Sequence, residues 1–414
     1  MDEPVKILMV NKFLYPRGGA ETYMLRLGTE LARRGHQVEY FGMYDAKNTV
    51  GNEDGLTTAA MDFHTGSAAR FLYPFHILYS PEARRKLGTV LDRFRPDVVH
   101  LNNINFQLTP SVIDGVKKRG IPLVQTVHDY QMICPNHMLY NLAEERVCER
   151  CVQGSRWNCA RYRCIHGSRV KSVLGTVEGY LSWGRHSYEK VDRYICPSRF
   201  LAEKLLQASP IYRDRLEVLH NFVELPQRDE ILPEGEPGED YVVFAGRLSR
   251  EKGLDLLAQA ARLLPRVTFR VAGSGEMEAV LRDIPNVELL GFLSGKPLRQ
   301  LIAGAQAALV PSVWYENCPL SILEAHALGV PVITMDRGGM AELVEDGVTG
   351  ALFHELSGRA LADAVELLLA NRQKLAQMRA DCLRRREELP TLEGYCARVE
   401  EIYREEIGRR GRRT

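Results

Sequence analysis

Apolar and polar positions in this chain alternate between two periods. Residues 5–10, Val-Lys-Ile-Leu-Met-Val, are a short, nearly continuous apolar run that predicts a buried strand. A glycine turn follows at Arg17-Gly18-Gly19-Ala20-Glu21. Residues 22–34 then show helical spacing through Tyr23, Leu27 and Leu31, stopping at Gly35. Residues 38–41, 96–101, 121–128 and 191–196 are further strand-like runs. The stretch 224–240 is rich in Pro, Gly and acid and lacks periodicity, so it reads as a linker. The alternation then restarts, with strands expected at 241–245, 267–272, 287–290, 307–310 and 330–334. Helices are expected from 254, 276, 297, 320 and 340 onward, and a last amphipathic helix over 392–407. Strands alternating with helices mean parallel βαβ units, so the expected class is α/β in two domains. The boundaries read as 1–222, a linker at 223–239, 240–390, and a C-terminal helix and basic tail at 391–414 crossing back to the first domain. Such domains bind ligands at the carboxyl ends of their strands.

Composition changes this picture little. A chain of 414 residues, 45% hydrophobic and 26% charged, has the make-up of a soluble enzyme and not of a disordered or fibrous protein. No apolar run approaches the roughly 20 residues of a membrane span. The first residues lack the basic-then-apolar order of a signal peptide, so the cytoplasm is expected. The net charge of +1 is divided unevenly. Residues 1–220 hold 30 Lys and Arg against 23 Asp and Glu, or +7, and the remainder holds 24 against 30, or −6. Either the first half meets something anionic, such as a membrane surface or a phosphorylated acceptor, or this is ordinary surface charge.

Candidate chemistry lies mainly in the second half. Gly246-Arg247-Leu248-Ser249-Arg250-Glu251-Lys252-Gly253 sits where a strand gives way to a helix. There Arg247 can fork onto phosphate oxygens and Lys252 adds a point charge. Further on, Pro319 suits the first turn of a helix, with Asn317 or Cys318 as its cap. The N–H groups and dipole of that helix start suit a diphosphate. Glu316 precedes the helix and Glu324 lies more than a turn inside it, far enough apart to serve two separate sets of hydroxyls. An ion pair is the plainer reading of Glu324. His128 ends a strand, where it is either a ligand-facing group or a satisfied core residue. Asp129 either orients its ring or caps the next segment.

Gly246-Arg247…Lys252-Gly253 with Glu316-x7-Glu324 resembles family 4 of the retaining glycosyltransferases. Gly18-Gly19-Ala20-Glu21, Thr126-Val127-His128-Asp129, Cys196-Pro197-Ser198, His220-Asn221, Ala272-Gly273-Ser274-Gly275 and Leu290-Gly291-Phe292 add to the likeness, which spans nearly the whole chain. The resemblance implies the GT-B fold, two facing Rossmann-like domains with the donor site in the cleft between them. It also implies that the first domain takes the acceptor and the second a nucleotide-sugar donor, UDP- or GDP-linked. By the same likeness, Arg247 and Lys252 neutralise the leaving diphosphate, Glu316 binds the transferred sugar and Glu324 the ribose. Gly246, Asn317 and the backbone N–H groups of Cys318 and Leu320 contact the donor, whereas Pro319 has no N–H to give. Gly18 and Gly19 let the first loop approach the phosphates. His128 lines the sugar pocket and Gly273 shapes the floor beneath the nucleotide.

The implied chemistry is front-face transfer with retention, in which the donor's own phosphate takes the acceptor proton and no cofactor acts in catalysis. No DxD-like motif stands out at a strand end. The first turn lacks the Gly-x-Gly-x-x-Gly of dinucleotide-dependent hydride enzymes. The acceptor is expected to be a glycan or a lipid-linked glycan of cell-surface polysaccharide or glycolipid assembly, with no nucleic acid partner. A basic, apolar stretch over 168–190, with Leu174, Tyr180, Leu181 and Trp183, either rests on the inner face of the cytoplasmic membrane or is a buried helix face. Two other functions share these features: an enzyme of the same fold acting on water or a small soluble acceptor, and a non-catalytic scaffold that binds nucleotide sugar.

Cys148, Cys151, Cys159 and Cys164 follow a C-x2-C-x7-C-x4-C spacing in a cysteine-rich segment over about 130–168. The segment reads as an insert, and the four thiols as a structural zinc knuckle. Disulfides, an iron–sulfur site and free thiols are the alternatives.

Overall fold

The computed structural model describes residues 3–60, 78–231 and 240–412, so residues 232–239 of the expected linker and Arg413 of the basic tail lie outside it. The chain divides into two compact units. The first holds the residues up to Glu144, Cys148–His220 and those from Leu392 on; the second holds Glu145–Val147 and Asn221–Thr391.

The first unit is built on β1 (Lys6–Val10), α1 (Gly19–Arg33), β2 (Gln37–Phe41), α2 (Pro81–Phe94), β3 (Val98–Leu101), α3 (Ser111–Lys117) and β4 (Leu123–Thr126). After β4 come α4 (Trp157–Arg161), α5 (Arg169–Gly184), β5 (Arg193–Cys196), α6 (Arg199–Ala208) and β6 (Leu216–Val218). The strands form one parallel sheet in the order β2-β1-β3-β4-β5-β6. Ile7, Leu8, Met9 and Val10 of the near-central β1 are fully buried, as an apolar run covered on both faces requires. The first helix starts at Gly19, three residues before the periodic stretch suggested, because extended Gly18 serves as its N-cap.

The second unit repeats the scheme with β7 (Tyr241–Ala245), α7 (Leu254–Leu263), β8 (Thr268–Ala272), α8 (Glu278–Leu281), β9 (Val287–Gly291), α9 (Gly295–Ala303) and β10 (Ala307–Val310). It continues with α10 (Leu320–Ala327), β11 (Val332–Met335), β12 (Gly350–Phe353), α11 (Gly358–Ala370) and α12 (Arg372–Arg384). Its parallel sheet runs β9-β8-β7-β10-β11-β12, the Rossmann strand order. No α-helix starts at Met340. Gly338–Met340 is a single 3-10 turn, and the apolar Met340 and Val344 are buried by loop packing.

The last helix, α13 (Leu392–Gly411), belongs to the first unit. It is held there by buried polar contacts: Tyr395 with Tyr23 at 2.8 Å, Tyr403 with His100 at 2.5 Å, and Glu400 with Arg34 at 2.6 Å. Both units are thus α/β Rossmann-like folds. In each, the strand order reverses at one point, between β1 and β3 in the first and between β7 and β10 in the second. The connections leave the sheet in opposite directions there, and the opening beyond the carboxyl ends is where such folds take ligands.

Candidate active site

The carboxyl ends of β7 and β10 deliver most of the residues singled out from the sequence. Gly246 and Arg247 follow β7, and Lys252 closes the 3-10 turn Arg250–Lys252. Gly253 then adopts φ 78°, and a Cβ there would stand 1.9 Å from the Pro311 carbonyl oxygen, so only glycine lets the two loops touch. Across that contact, Lys252 Nζ lies 2.6 Å from Glu316 Oε1. The same oxygen accepts from Ser312 Oγ at 2.9 Å and Trp314 Nε1 at 2.8 Å. Among the described residues these three donors all meet Oε1, and Oε2 receives no hydrogen bond. Burial alone would raise the Glu316 pKa; the Lys252 charge and the three hydrogen bonds outweigh it and hold this carboxylate below its ordinary range.

Arg247 is exposed and its guanidinium is 3.0 Å from Glu251. Glu251 is itself buried, takes a 2.7 Å hydrogen bond from Ser249, and through its backbone carbonyl accepts from Val313 N–H. It therefore ties the Arg247 loop to the Glu316 loop. Pattern reading missed this strut, since a carboxylate between two cations reads as a solvated charge. A second missed support is the loop after β11. Gly339 N–H donates to the Glu316 carbonyl at 2.7 Å, and Arg337 reaches the Val313 carbonyl at 2.6 Å.

Helix α10 starts at Leu320, with Pro319 in the N-cap position and no side-chain cap, instead of Pro319 in the first turn under Asn317 or Cys318. The Ile322 N–H turns back to the Pro319 carbonyl at 3.1 Å, and the Leu320 and Ser321 N–H groups, without a backbone acceptor among the described residues, are open to an anion. The Cys318 carbonyl is held by Asn221 Nδ2 at 3.1 Å. Glu324 is exposed one turn into α10; its charge is felt by Arg299, whose own ion pair is with Glu230 at 2.8 Å. Gly273, at the end of β8, adopts φ 149°, and a Cβ there would fall 1.8 Å from the Gly246 carbonyl oxygen.

The first unit presents a different set. Gly18 and Gly19 are exposed at the start of α1, and a side chain on Gly19 would meet nothing within 4 Å. His128, just past β4, is held by Asn102 Oδ1 at 2.9 Å and by an edge-on contact with Tyr23. Burial pulls its pKa down to about 4, so its ring is neutral at pH 7. Asp129 caps the next segment by accepting from Gln131 N–H and takes a 2.7 Å hydrogen bond from Asn105. Sequence reasoning missed the residues at the β1/β3 reversal. Lys12 follows β1, and burial lowers its ammonium pKa against the opposing pull of Asp129 and Glu21. Asn102 Nδ2 and Asn105 Oδ1, beyond β3, are buried and without partners among the described residues. Their signal was available only as polar residues following a strand.

The zinc expectation is overturned. Among the described residues no group of three or more His, Cys, Asp or Glu side chains is placed to hold a metal ion. All nine cysteines are free. Cys151, Cys159 and Cys164 pack as an apolar cluster with Tyr162 and Ile165, and half-buried Cys148 lies outside it. Burial pushes the Cys151 thiol up to about 12, the opposite of what a thiolate ligand needs.

Comparison with known proteins identifies the family and the fold. A family model described as Glycosyltransferase Family 4 matches residues 17–227, and one described as Glycosyl transferases group 1 matches 239–371. The first match runs through the cysteine-rich segment, so nothing marks 130–168 as a distinct insert. An uncharacterised protein of the cps region of Klebsiella pneumoniae is 24% identical over 82% of this chain and 87% of its own length. An uncharacterised glycosyltransferase of Methanocaldococcus jannaschii is 25% identical over 89% of this chain and 90% of its own. Among solved structures, an Anabaena protein in complex with UDP and glucose superposes with a TM-score of 0.65 at 18% identity, covering 96% of this chain and 99% of that one. A match over half the chain, on two Rossmann-like sheets, places the protein in glycosyltransferase family 4, as a glycosyltransferase of the GT-B fold.

Proposed function

We propose that this enzyme transfers a hexose from a UDP- or GDP-linked donor to a hydroxyl of a glycan or lipid-linked acceptor, with retention at the anomeric carbon. One observation carries the reading. Arg247, Lys252 and Glu316 converge beyond the β7 and β10 strand ends, on the loops beside the open N-terminus of α10. Arg247 and Lys252 then meet the diphosphate, Glu316 Oε2 takes a hydroxyl of the transferred sugar, and Glu324 the ribose. The acceptor oxygen bonds to the anomeric carbon as the bond from that carbon to the phosphate oxygen breaks. The acceptor proton passes to a phosphate oxygen of the departing nucleoside diphosphate. Positive charge on that leaving group lowers the barrier, because it is in place before charge develops. Neutral His128, its Nε2–H donated to Asn102 Oδ1, is assigned to the sugar's side of the reaction.

The donor class draws support from the Anabaena protein's complex with UDP and glucose. Peripheral contact with the inner face of a membrane is part of the proposal. Helix α5 is inverted: it buries Ser172, Gly175, Thr176, Glu178 and Ser182 and exposes Val170, Val173 and Leu181 beside Arg169 and Lys171. No helix among the described residues is long and apolar enough to cross a membrane. A thermal-shift screen of UDP-, GDP-, ADP- and TDP-sugars, followed by NMR of the product anomer, tests the function. A donor that raises Tm and yields a retained product is expected. No shift with any donor, or an inverted product, would sink it.

A further inference from the structure

The polar face of α5 is buried. Together with 131–135 and 186–189 it lines a crevice of about 390 Å³, open solvent included, in which there is room for about one water-sized group. Glu178 is 4% exposed and among the described residues receives a single hydrogen bond, from Ser182 Oγ at 2.7 Å. Tyr188 is 6% exposed, yet its hydroxyl has no partner among the described residues. Buried hydroxyls are nearly always paired, so an unpaired one beside an under-used carboxylate marks a place for a polar guest. At the mouth, Trp183 is 58% exposed, with the Arg156 guanidinium 5.6 Å from its ring centre. Arg156 makes no ion pair with Glu178, although its charge is felt there. Gly179 leaves room for it, since a Cβ at that position would approach Arg156 Cδ to 3.1 Å.

We infer that this crevice is a carbohydrate subsite, in which a neutral hexopyranose lays its apolar face on Trp183 and sends one hydroxyl between Glu178 and Tyr188. An aromatic ring under the sugar's C–H face, with a carboxylate and a phenol on one hydroxyl, supplies both apolar and directional contacts. The subsite lies in the unit assigned to the acceptor, and the choice of a glycan as guest rests on the glycosyltransferase reading. It would hold a sugar unit of the acceptor, on residues that carry none of the donor chemistry.

Trp183 reports binding directly. The chain has three tryptophans, so 5-fluorotryptophan labelling gives three fluorine resonances, and Trp183→Phe assigns one of them. Methyl glycosides of glucose, galactose and mannose are the probes. At least one should shift the Trp183 resonance saturably, and Tyr188→Phe and Glu178→Gln should each weaken binding about tenfold while leaving donor-induced thermal shifts unchanged. Absence of a saturable shift with all three glycosides overturns the inference, as does binding that Tyr188→Phe leaves intact. Tyr188→Phe removes one oxygen only, so it decides the matter even if Glu178→Gln fails to fold. Glycoside binding without any donor binding would leave the subsite standing and remove the enzymatic reading instead.

Discussion

Replacing Lys252 with Met tests whether the Lys252–Glu316 pair both supports the fold and serves catalysis. The substitution keeps the length of the side chain and removes its charge. Glu316, 8% exposed, then keeps only Ser312 and Trp314 as donors. Stripping a buried carboxylate of its cation costs about 3–5 kcal/mol; the Lys252 side chain is 25% exposed, so water can partly replace it and the lower end, about 3 kcal/mol, is expected at pH 7. The pH dependence follows from the direction of the shift. In the wild type the Glu316 pKa is lowered on folding, so its contribution is present above the unfolded value of 4.5 and is lost as pH falls through the folded one. Without Lys252 burial dominates, the folded pKa rises above 4.5, and the cost at pH 7 shrinks on acidification. Adding Glu316→Gln removes the stranded charge, so the double variant should recover about 2 kcal/mol.

Urea unfolding of 5-fluorotryptophan-labelled protein, followed at Trp314, reads the second unit alone. Turnover separates the two roles. Losing a fixed cation at the diphosphate should lower kcat/KM roughly a hundred- to thousandfold. The double variant should stay inactive while regaining stability. Strictly additive stability effects would refute the pairing, and recovery of turnover in the double variant would refute the catalytic assignment.

Four further outcomes are expected. Gly273→Ala should destabilise the second unit by at least about 2 kcal/mol, since its Cβ falls 1.8 Å from a carbonyl oxygen. Gly19→Ala, with open space and helical backbone, should be neutral or stabilising by up to about 1 kcal/mol yet weaken donor binding in the thermal-shift assay. Burial raises the Glu178 pKa to about 7 from 4.5, so this group favours the folded state at low pH and loses that preference as pH rises through about 7. The stability difference between wild type and Glu178→Gln should therefore move by about 3 kcal/mol across that window, the variant gaining at high pH, as measured by urea midpoints of the first unit. Vesicles with anionic lipid should pellet the enzyme, and Val170→Ser with Leu181→Ser should return it to solution; equal pelleting of the variant would dismiss α5 as the contact.

Much of the candidate site was legible because its residues fall in two short segments, each pairing a strand end with chemistry. Arg247 with Lys252, and Glu316 with Glu324, need only local spacing to be noticed. Their joining was not legible, because the Lys252–Glu316 bond spans 64 residues and depends on Gly253 meeting Pro311. Glu251 stands in plain view between two cations, and only burial turns it from a solvated charge into the strut for Arg247. Asn102 and Asn105 required the strand order, since the reversal between β1 and β3 cannot be read from periodicity. The cysteine spacing was real, but spacing fixes only which thiols could meet. Packing against Tyr162 and Ile165 decided what they do.

Helix α5 shows the limit of pattern reading most clearly. Of the residues expected on its apolar face, Leu181 and Trp183 are exposed and Leu174 and Tyr180 half-buried; Val170 and Val173 are exposed with them, and Glu178 and Ser182 are buried. The usual rule would put the apolar stripe inside. Here the polar stripe is inside, and that arrangement costs desolvation unless something returns the hydrogen bonds. Ser182 returns one to Glu178, and nothing among the described residues returns one to the Tyr188 hydroxyl. A fold whose only demand were stability would have placed an apolar side chain at Glu178. That a carboxylate stands there instead, with its pKa raised to about 7, is the reason to look for the guest that makes use of it.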